Sequence, residues 1–439
     1  MSTPNRHSAD QPASRRDFLK TSAALAAAGS LSLSRSAHAA GSDEIKIALI
    51  GCGGRGTGAA ANALATTANV KLVALHDAFP ERVTAAYNAL NRQFAARVDV
   101  PDARRFSGLD GYLQALNANV DLVLLCTPPG FRPQQFEAAV KAGKHVFMEK
   151  PVAVDGPGVR QVLAANEEAK KKGLAVAVGH HLRHEDKHRE VVKRIHDGAI
   201  GPVKFLRAYF NTGSLWVRPR KPDQTEMQFQ VSNWYYYNWL SGDHIVEQHV
   251  HDLDACNWIM QGHPVEAQGL GGRQVRKGPN FGEIFDHHAV EFTYPDGTKM
   301  FSYCRQIDNC WGSFSQHAHG TKGVVNIDGH GTSELRVDGQ EPLRWKREKD
   351  GHQVEMDDLF AALLAGQPYN EGEHGAHSTM TAILGRMATA SGQIVRWDDA
   401  IKSELNLLPP KLTWDAQPLV LPDQNGEYAC AMPGKTKAW

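Results

Sequence analysis

The chain is short of several things, and each shortage removes a class of protein. Only 6 of 439 residues are cysteine, and none forms a C-x-x-C pair, which argues against zinc-ribbon and dithiol chemistry. Cys304–Cys310 is the one spacing that suggests a disulfide, and it is not favoured. Neither sign of charge dominates, since Lys plus Arg and Asp plus Glu each number 48. No long-range field or basic run therefore recruits nucleic acid. Past the first forty residues no apolar run reaches about 18 residues, so no stable membrane insertion is expected of the mature chain. A core is not in short supply: the length predicts two or three domains.

What is present begins at the N-terminus. Ser14-Arg15-Arg16-Asp17-Phe18-Leu19-Lys20 precedes a mild, alanine-rich apolar stretch to Leu33 and then Ala37-His38-Ala39. Charge, apolar segment and small-residue cleavage site stand in the order of an export signal, and the double arginine resembles the twin-arginine kind. Residues 1–40 are read as that signal and the mature chain as periplasmic. This route carries folded proteins, so a cofactor can be loaded before export.

The most informative run is Ile45 to Gly56, an apolar strand leading into Gly51-x-Gly53-x-x-Gly56 and then an alanine-rich helix. Gly51 suits the tight turn, Gly53 the approach of a pyrophosphate, and Gly56 close helix–strand packing. Free N–H groups at the helix start attract the anion. A second strand, Lys71 to Ala74, ends at Asp77, about 20 residues on, where a ribose-binding carboxylate belongs. Asp77 repels a 2′-phosphate, so NAD is favoured; Arg55 and Arg82 keep NADP open. Gly54 and Arg55 complete the expected cradle.

From Ile45 to about Ala177, apolar β-rich runs alternate with helical segments such as Gln134–Ala142 and Gly158–Lys171, which predicts a doubly wound parallel sheet. After a helix at Lys187–His196 the pattern changes. Pro295-Asp296-Gly297 joins Ala289–Thr293 to Lys299–Tyr303, and a second hairpin joins Ser313–His319 to Val324–Ile327. The fold class expected is α/β: an N-terminal Rossmann domain over residues 43–177, then an α+β domain over 178–439 on an open, largely antiparallel sheet. Helical stretches within 356–391 are expected to pack back on one of them.

At Glu149-Lys150-Pro151, straight after the strand His145–Met148, the chain resembles the Gfo/Idh/MocA family of sugar and polyol oxidoreductases. Thr127-Pro128, Val178-Gly179 with Arg183, and His249 to Asp254 extend the likeness over roughly residues 45–326. The resemblance implies that Lys150 sits beside the nicotinamide and the substrate hydroxyl, with Glu247 and His251 completing the site; Gly51, Gly53, Gly54, Arg55, Gly56, Asp77, Thr127, Pro128 and Glu149 would hold the nucleotide. Spacing of four places Glu247 and His251 on one helical face. Glutamate at 247 and histidine at 249 depart from the family pattern, and Arg132 stands where many members have histidine. His251 would accept the hydroxyl proton and Lys150 stabilise the developing alkoxide, although lysine as the base is an equal assignment.

Between Gly213 and Gly242 lies an aromatic insert with Trp216, Trp234, Tyr235, Tyr236, Tyr237 and Trp239. Such rings suit sugar faces and subunit interfaces equally. Arg183, His249, Trp234 and Tyr236 are candidate substrate contacts, and a homo-oligomer is expected. Histidines cluster at 180–188, 244–251 and 287–288 without a specific metal pattern, so they are read as cleft-lining groups, with His184 and His188 at an exposed helix start. Outside the cytoplasm no free NAD pool exists, so the nucleotide is expected to be tightly held. Three functions fit: hydride transfer with a sugar, glycoside or polyol; NAD-dependent glycoside cleavage through transient oxidation, elimination and re-reduction; and non-catalytic, nucleotide-loaded sugar binding.

Overall fold

A computed structural model describes residues 44–438; the export segment lies outside the described residues. β1 (Ile45–Ile50), β2 (Val70–Asp77), β3 (Arg105–Ser107), β4 (Leu122–Leu125), β5 (His145–Met148) and β6 (Val176–Val178) form one sheet in the order β3-β2-β1-β4-β5-β6. Every pairing in it is parallel. Helices cover both faces, which is why these strands read as unbroken apolar runs. In β1 the two-residue alternation sends Ala48 and Ile50 to one buried cluster, with Phe136 and Val159, and Ile47 and Leu49 to another, with Ala59 and Val83. Strand order reverses between β1 and β4, and the crevice at their carboxyl ends is where such sheets bind ligands.

The second sheet has nine strands. β7 (Val203–Thr212), β8 (Glu266–Gly272), β9 (His287–Thr293), β10 (Lys299–Gln306), β11 (Ser313–Gly320), β12 (Gly323–Asp328), β13 (Ser333–Val337), β14 (Leu343–Trp345) and β15 (Val395–Arg396) lie in the order β14-β13-β12-β11-β7-β10-β9-β8-β15. It is antiparallel except where β7 and β10 run parallel. Both expected hairpins form; at the first, the Asp296 carboxylate accepts from the Thr298 amide at 2.9 Å and Gly297 takes φ +84°. Met300, Ser302, Cys304 and Gln306 of β10 alternate into the buried face.

The helix Gly351–Leu364 packs against the parallel-sheet side, where Met356, Leu359 and Phe360 join the cluster of Leu49 and Ala59. Each such buried side chain contributes about 1.5–3 kcal/mol. That packing overturns one reading of the sequence. His184 and His188 are buried, not an exposed helix start, because this later helix and β11 cover them: His184 faces Asp358 at 2.8 Å and Glu371 at 3.2 Å, and His188 lies 3.1 Å from Glu185. All six cysteines are free, Cys304 buried and Cys310 exposed. Among the described residues no helix is long and apolar enough to cross a membrane.

Candidate active site

One cleft of about 520 Å³ runs from the glycine turn after β1 to the residues around Lys150. At its first end Gly51 takes φ +101°, and a Cβ there would lie 2.5 Å from the Cys126 carbonyl carbon. A Cβ on Gly56 would meet the Gly51 carbonyl oxygen at 1.9 Å. By contrast, a Cβ on Gly53 or Gly54 meets nothing within 4 Å, so the turn opens on the cleft there. The helix Gly54–Ala65 begins without a side-chain cap or an acidic first turn, leaving its first N–H groups for an anion. Asp77, at the end of β2, accepts from the Cys52 amide at 2.8 Å and the Phe79 amide at 3.0 Å. Its carboxylate is thereby locked in the cleft wall with lone pairs to spare for ribose hydroxyls. These features fit a dinucleotide.

Arg55 does not reach toward Asp77. It pairs with the buried Glu149 carboxylate at 3.1 Å. The cations at the Asp77 end of the cleft are Arg82 and Arg218, the latter 4.5 Å over the Trp216 ring. Thr127 and Pro128 line the cleft, and the Thr127 hydroxyl donates to Gln135 at 2.5 Å. Arg132 is buried beneath, donating to the carbonyls of Leu125 and Thr127 at 2.5 and 2.7 Å. Burial pushes its guanidinium down to about 10.

At the other end Lys150 Nζ donates to the Glu247 carbonyl oxygen at 2.5 Å and to its Oε1 at 3.2 Å. Burial raises the Glu247 carboxyl, and Lys150 opposes that shift. Glu247 and His251 do not share one helix: Glu247 ends the short helix His244–Glu247, and His251 lies in the first turn of Val250–Met260. They line the same cleft nonetheless. His251 ring stands 4.7 Å from that of His181, and His181 stands 4.2 Å from His352. Burial, then the Lys150 charge, holds His251 well below the usual imidazole range; burial, then His352, does the same for His181. Both shifts favour the neutral ring. Glu247 Oε2, His251 Nδ1 and His181 Nδ1 are buried without a hydrogen-bond partner, unspent capacity on three residues that line the cleft.

His352 was not foreseen in the sequence. It opens the helix Gly351–Leu364, whose start touches the His181 carbonyl so closely that a Cβ on Gly351 would lie 2.4 Å away. His352 Nδ1 faces Glu355 at 3.3 Å. Burial, then Glu149, pushes the Glu355 carboxyl well above the carboxylate range. No local pattern announces this helix as part of a site, because contact with residue 181 is purely tertiary.

Three expected contacts lie elsewhere. Arg183 makes a two-pronged pair with Asp254 at 2.8 and 2.9 Å and lines a separate depression with Trp258 and His374. His249 is fully buried between Asp252 at 3.0 Å and Ser302 at 2.7 Å. Tyr236 is buried and donates to the Trp216 carbonyl at 3.1 Å. Trp234 does line the cleft, with Trp216 and Tyr235, while Tyr237 and Trp239 serve a buried aromatic cluster. His244 and His288 lie buried outside the cleft too.

Comparison with known proteins agrees with this geometry. A family model described as "Oxidoreductase family, NAD-binding Rossmann fold" matches residues 45–180, and "GFO/IDH/MocA C-terminal domain" matches 188–326. A twin-arginine translocation signal matches residues 12–32. The chain is 28% identical over 280 residues to 2,7-anhydro-N-acetylneuraminate hydratase of Mediterraneibacter gnavus, across 60% of this chain and 67% of that protein. It is 24% identical over 332 residues to inositol 2-dehydrogenase of Rhizobium meliloti, across 73% and 89%. The solved aldose-aldose oxidoreductase of Caulobacter crescentus, complexed with glycerol, superposes with TM-score 0.64 at 22% identity, covering 80% of this chain and 99% of that one. The chain, exported by the twin-arginine route, belongs to the Gfo/Idh/MocA family of NAD-binding oxidoreductases.

Proposed function

We propose that the protein moves hydride between a nicotinamide and a secondary alcohol carbon of a sugar, glycoside or polyol, with Lys150, His251 and Glu247 at the reacting centre. The observation that carries this reading is a single cleft joining the glycine cradle and Asp77 to a lysine gripped by Glu247. The bound cofactor supplies the hydride acceptor. Lys150 stabilises the developing alkoxide, Glu247 aims the ammonium group, and neutral His251 takes the hydroxyl proton. Residues 43–177 hold the nucleotide, and residues 178–439 supply the substrate side. The relatives' printed names, a hydratase of an anhydro sugar acid and an inositol dehydrogenase, support a carbohydrate or polyol.

Asp77 favours NAD, and the pair Arg82 and Arg218 is the competing feature that would greet a 2′-phosphate. Export supports a tightly retained nucleotide, as do the enclosing segments: Trp216 and Arg218 line the same cleft as Asp77 and Ala78, and Trp414 packs on Phe79 at 5.4 Å. The outer face of the second sheet, bearing exposed Trp311 and Leu270, suits a homo-oligomer contact. Native mass spectrometry of the purified mature protein, with a panel of sugars and polyols followed by nicotinamide absorbance, tests the reading. Retained NAD and a substrate-dependent absorbance change are expected; absence of nucleotide binding would overturn it.

A second reading has its own observation. His181 and His352 add two imidazoles to a cleft where simple hydride transfer needs one base, and redox-neutral glycoside cleavage needs the others for proton removal and leaving-group protonation. Release of the aglycone from an aryl glycoside with no net reduced nucleotide distinguishes it from the first.

A further inference from the structure

Asp243, His244 and His288 meet in the core, outside the cleft. One ligand atom from each lies within 4.8 Å of the others, and all three residues are buried. Asp243 Oδ1 stands 3.2 Å from His288 Nε2 and 3.9 Å from His244 Nε2. Tetrahedral bonds of about 2.0–2.1 Å give ligand-to-ligand edges of about 3.4 Å, so small shifts close the set around one ion.

The hydrogen bonding leaves a gap of the same shape. Neither ring nitrogen of His244 has a partner, although the residue is fully buried, and His288 Nε2 has none either, since Asp243 lies off its bonding direction. Asp243 Oδ1 accepts from the His244 backbone amide at 2.5 Å, and the nearby Glu283 Oε2 also has no partner. His288 Nδ1 bonds Thr389 Oγ1 at 2.9 Å, which orients the ring as outer partners orient metal-bound histidines. Asp243 Oδ2 accepts from the Phe285 amide at 2.9 Å. Unpartnered nitrogens on two neighbouring buried imidazoles are rare without a ligand, and each ring can offer one of them to a shared ion.

We propose that Asp243, His244 and His288 bind a divalent d-block cation of the zinc class, which ties the start of the helix His244–Glu247 to β9. Two imidazoles and one carboxylate favour such an ion over magnesium or calcium, which want oxygen. Arg276 and Arg386 lie near the cluster, offset by Asp243 and Glu283. A cavity of about 110 Å³ lined by Asp243, His288 and Glu283 leaves room for a water as a fourth ligand. Glu247, which holds Lys150, lies at the far end of the same one-turn helix, so the ion would steady the reacting end of the cleft from outside it.

Elemental analysis of the purified protein, before and after loading with zinc chloride and desalting, tests this directly. About one ion per chain is expected, falling below about 0.1 in His244→Ala and His288→Ala. A chelator should lower the Tm of the wild type and leave that of the variants unmoved. Cobalt loading should give a visible ligand-field spectrum in the wild type, so the result stands even if a variant misfolds. Fewer than about 0.1 zinc or cobalt per wild-type chain after loading, or unchanged metal content in both variants, would overturn the assignment.

Discussion

The two ends of the cleft are built in opposite ways. At the cradle end the groups come from short contiguous runs after β1 and β2 and are fixed by backbone: both Asp77 oxygens accept backbone amides, and Gly51 and Gly56 fit with no space for a side chain. At the reacting end Lys150, His181, Glu247, His251 and His352 come from distant parts of the chain, and buried atoms of Glu247, His251 and His181 have no partner. Groups fixed by backbone position a ligand by shape, whereas unpartnered side chains hold polar capacity in reserve for charge that moves during reaction.

The largest effect expected is at the reacting end. Lys150→Ala should lower turnover by about a thousandfold or more, with bound nucleotide retained, as read by steady-state kinetics beside native mass spectrometry. Equal loss of nucleotide would break the division between the two ends. Gly56→Ala should act in the reverse sense. Its Cβ must displace the Gly51 carbonyl, so nucleotide affinity should fall on the order of a hundredfold, about 2.8 kcal/mol, in a calorimetric titration.

Smaller shifts should appear in pH profiles. With His251 as the proposed base, its depressed pKa places the acid limb of kcat/KM below the ordinary histidine range; loss of activity near pH 6.5 would assign the base elsewhere. His184 behaves differently from the cleft histidines. Burial disfavours its charge, yet Asp358 and Glu371 win and raise it to about 9. Its stabilising contribution, on the order of 1–3 kcal/mol, is full below about pH 6.5 and is lost as pH rises through 9. His181, His244 and His251, all lowered, destabilise the fold as pH falls below about 6.5, because the unfolded chain then takes up the protons. Thermal melts should therefore peak near the lower end of this range, about pH 6.5–7, and His184→Gln should flatten the alkaline side alone.

Legibility in the sequence followed the same division. The glycine turn, Asp77 and the strand before Lys150 each lie within a few residues of the element that explains them, so periodicity and spacing were enough to place them. Glu247 and His251 reached the cleft although the helix expected to carry both is broken at Gln248 and His249. Arg183, His249 and Tyr236 lie outside the cleft, each bonded to a partner its position in the sequence does not show, Asp254, Ser302 and the Trp216 carbonyl.

By itself, then, the chain's order of residues determined the parallel sheet, the nucleotide cradle, the lysine at a strand end and the export signal, because local backbone geometry and two-residue or helical periodicity encode them. Only the tertiary structure decided that a helix from residue 351 would lay His352 against His181, and that Asp243, His244 and His288 would meet in the core. Those contacts join segments far apart in the chain, selected by burial of apolar faces that no local pattern records.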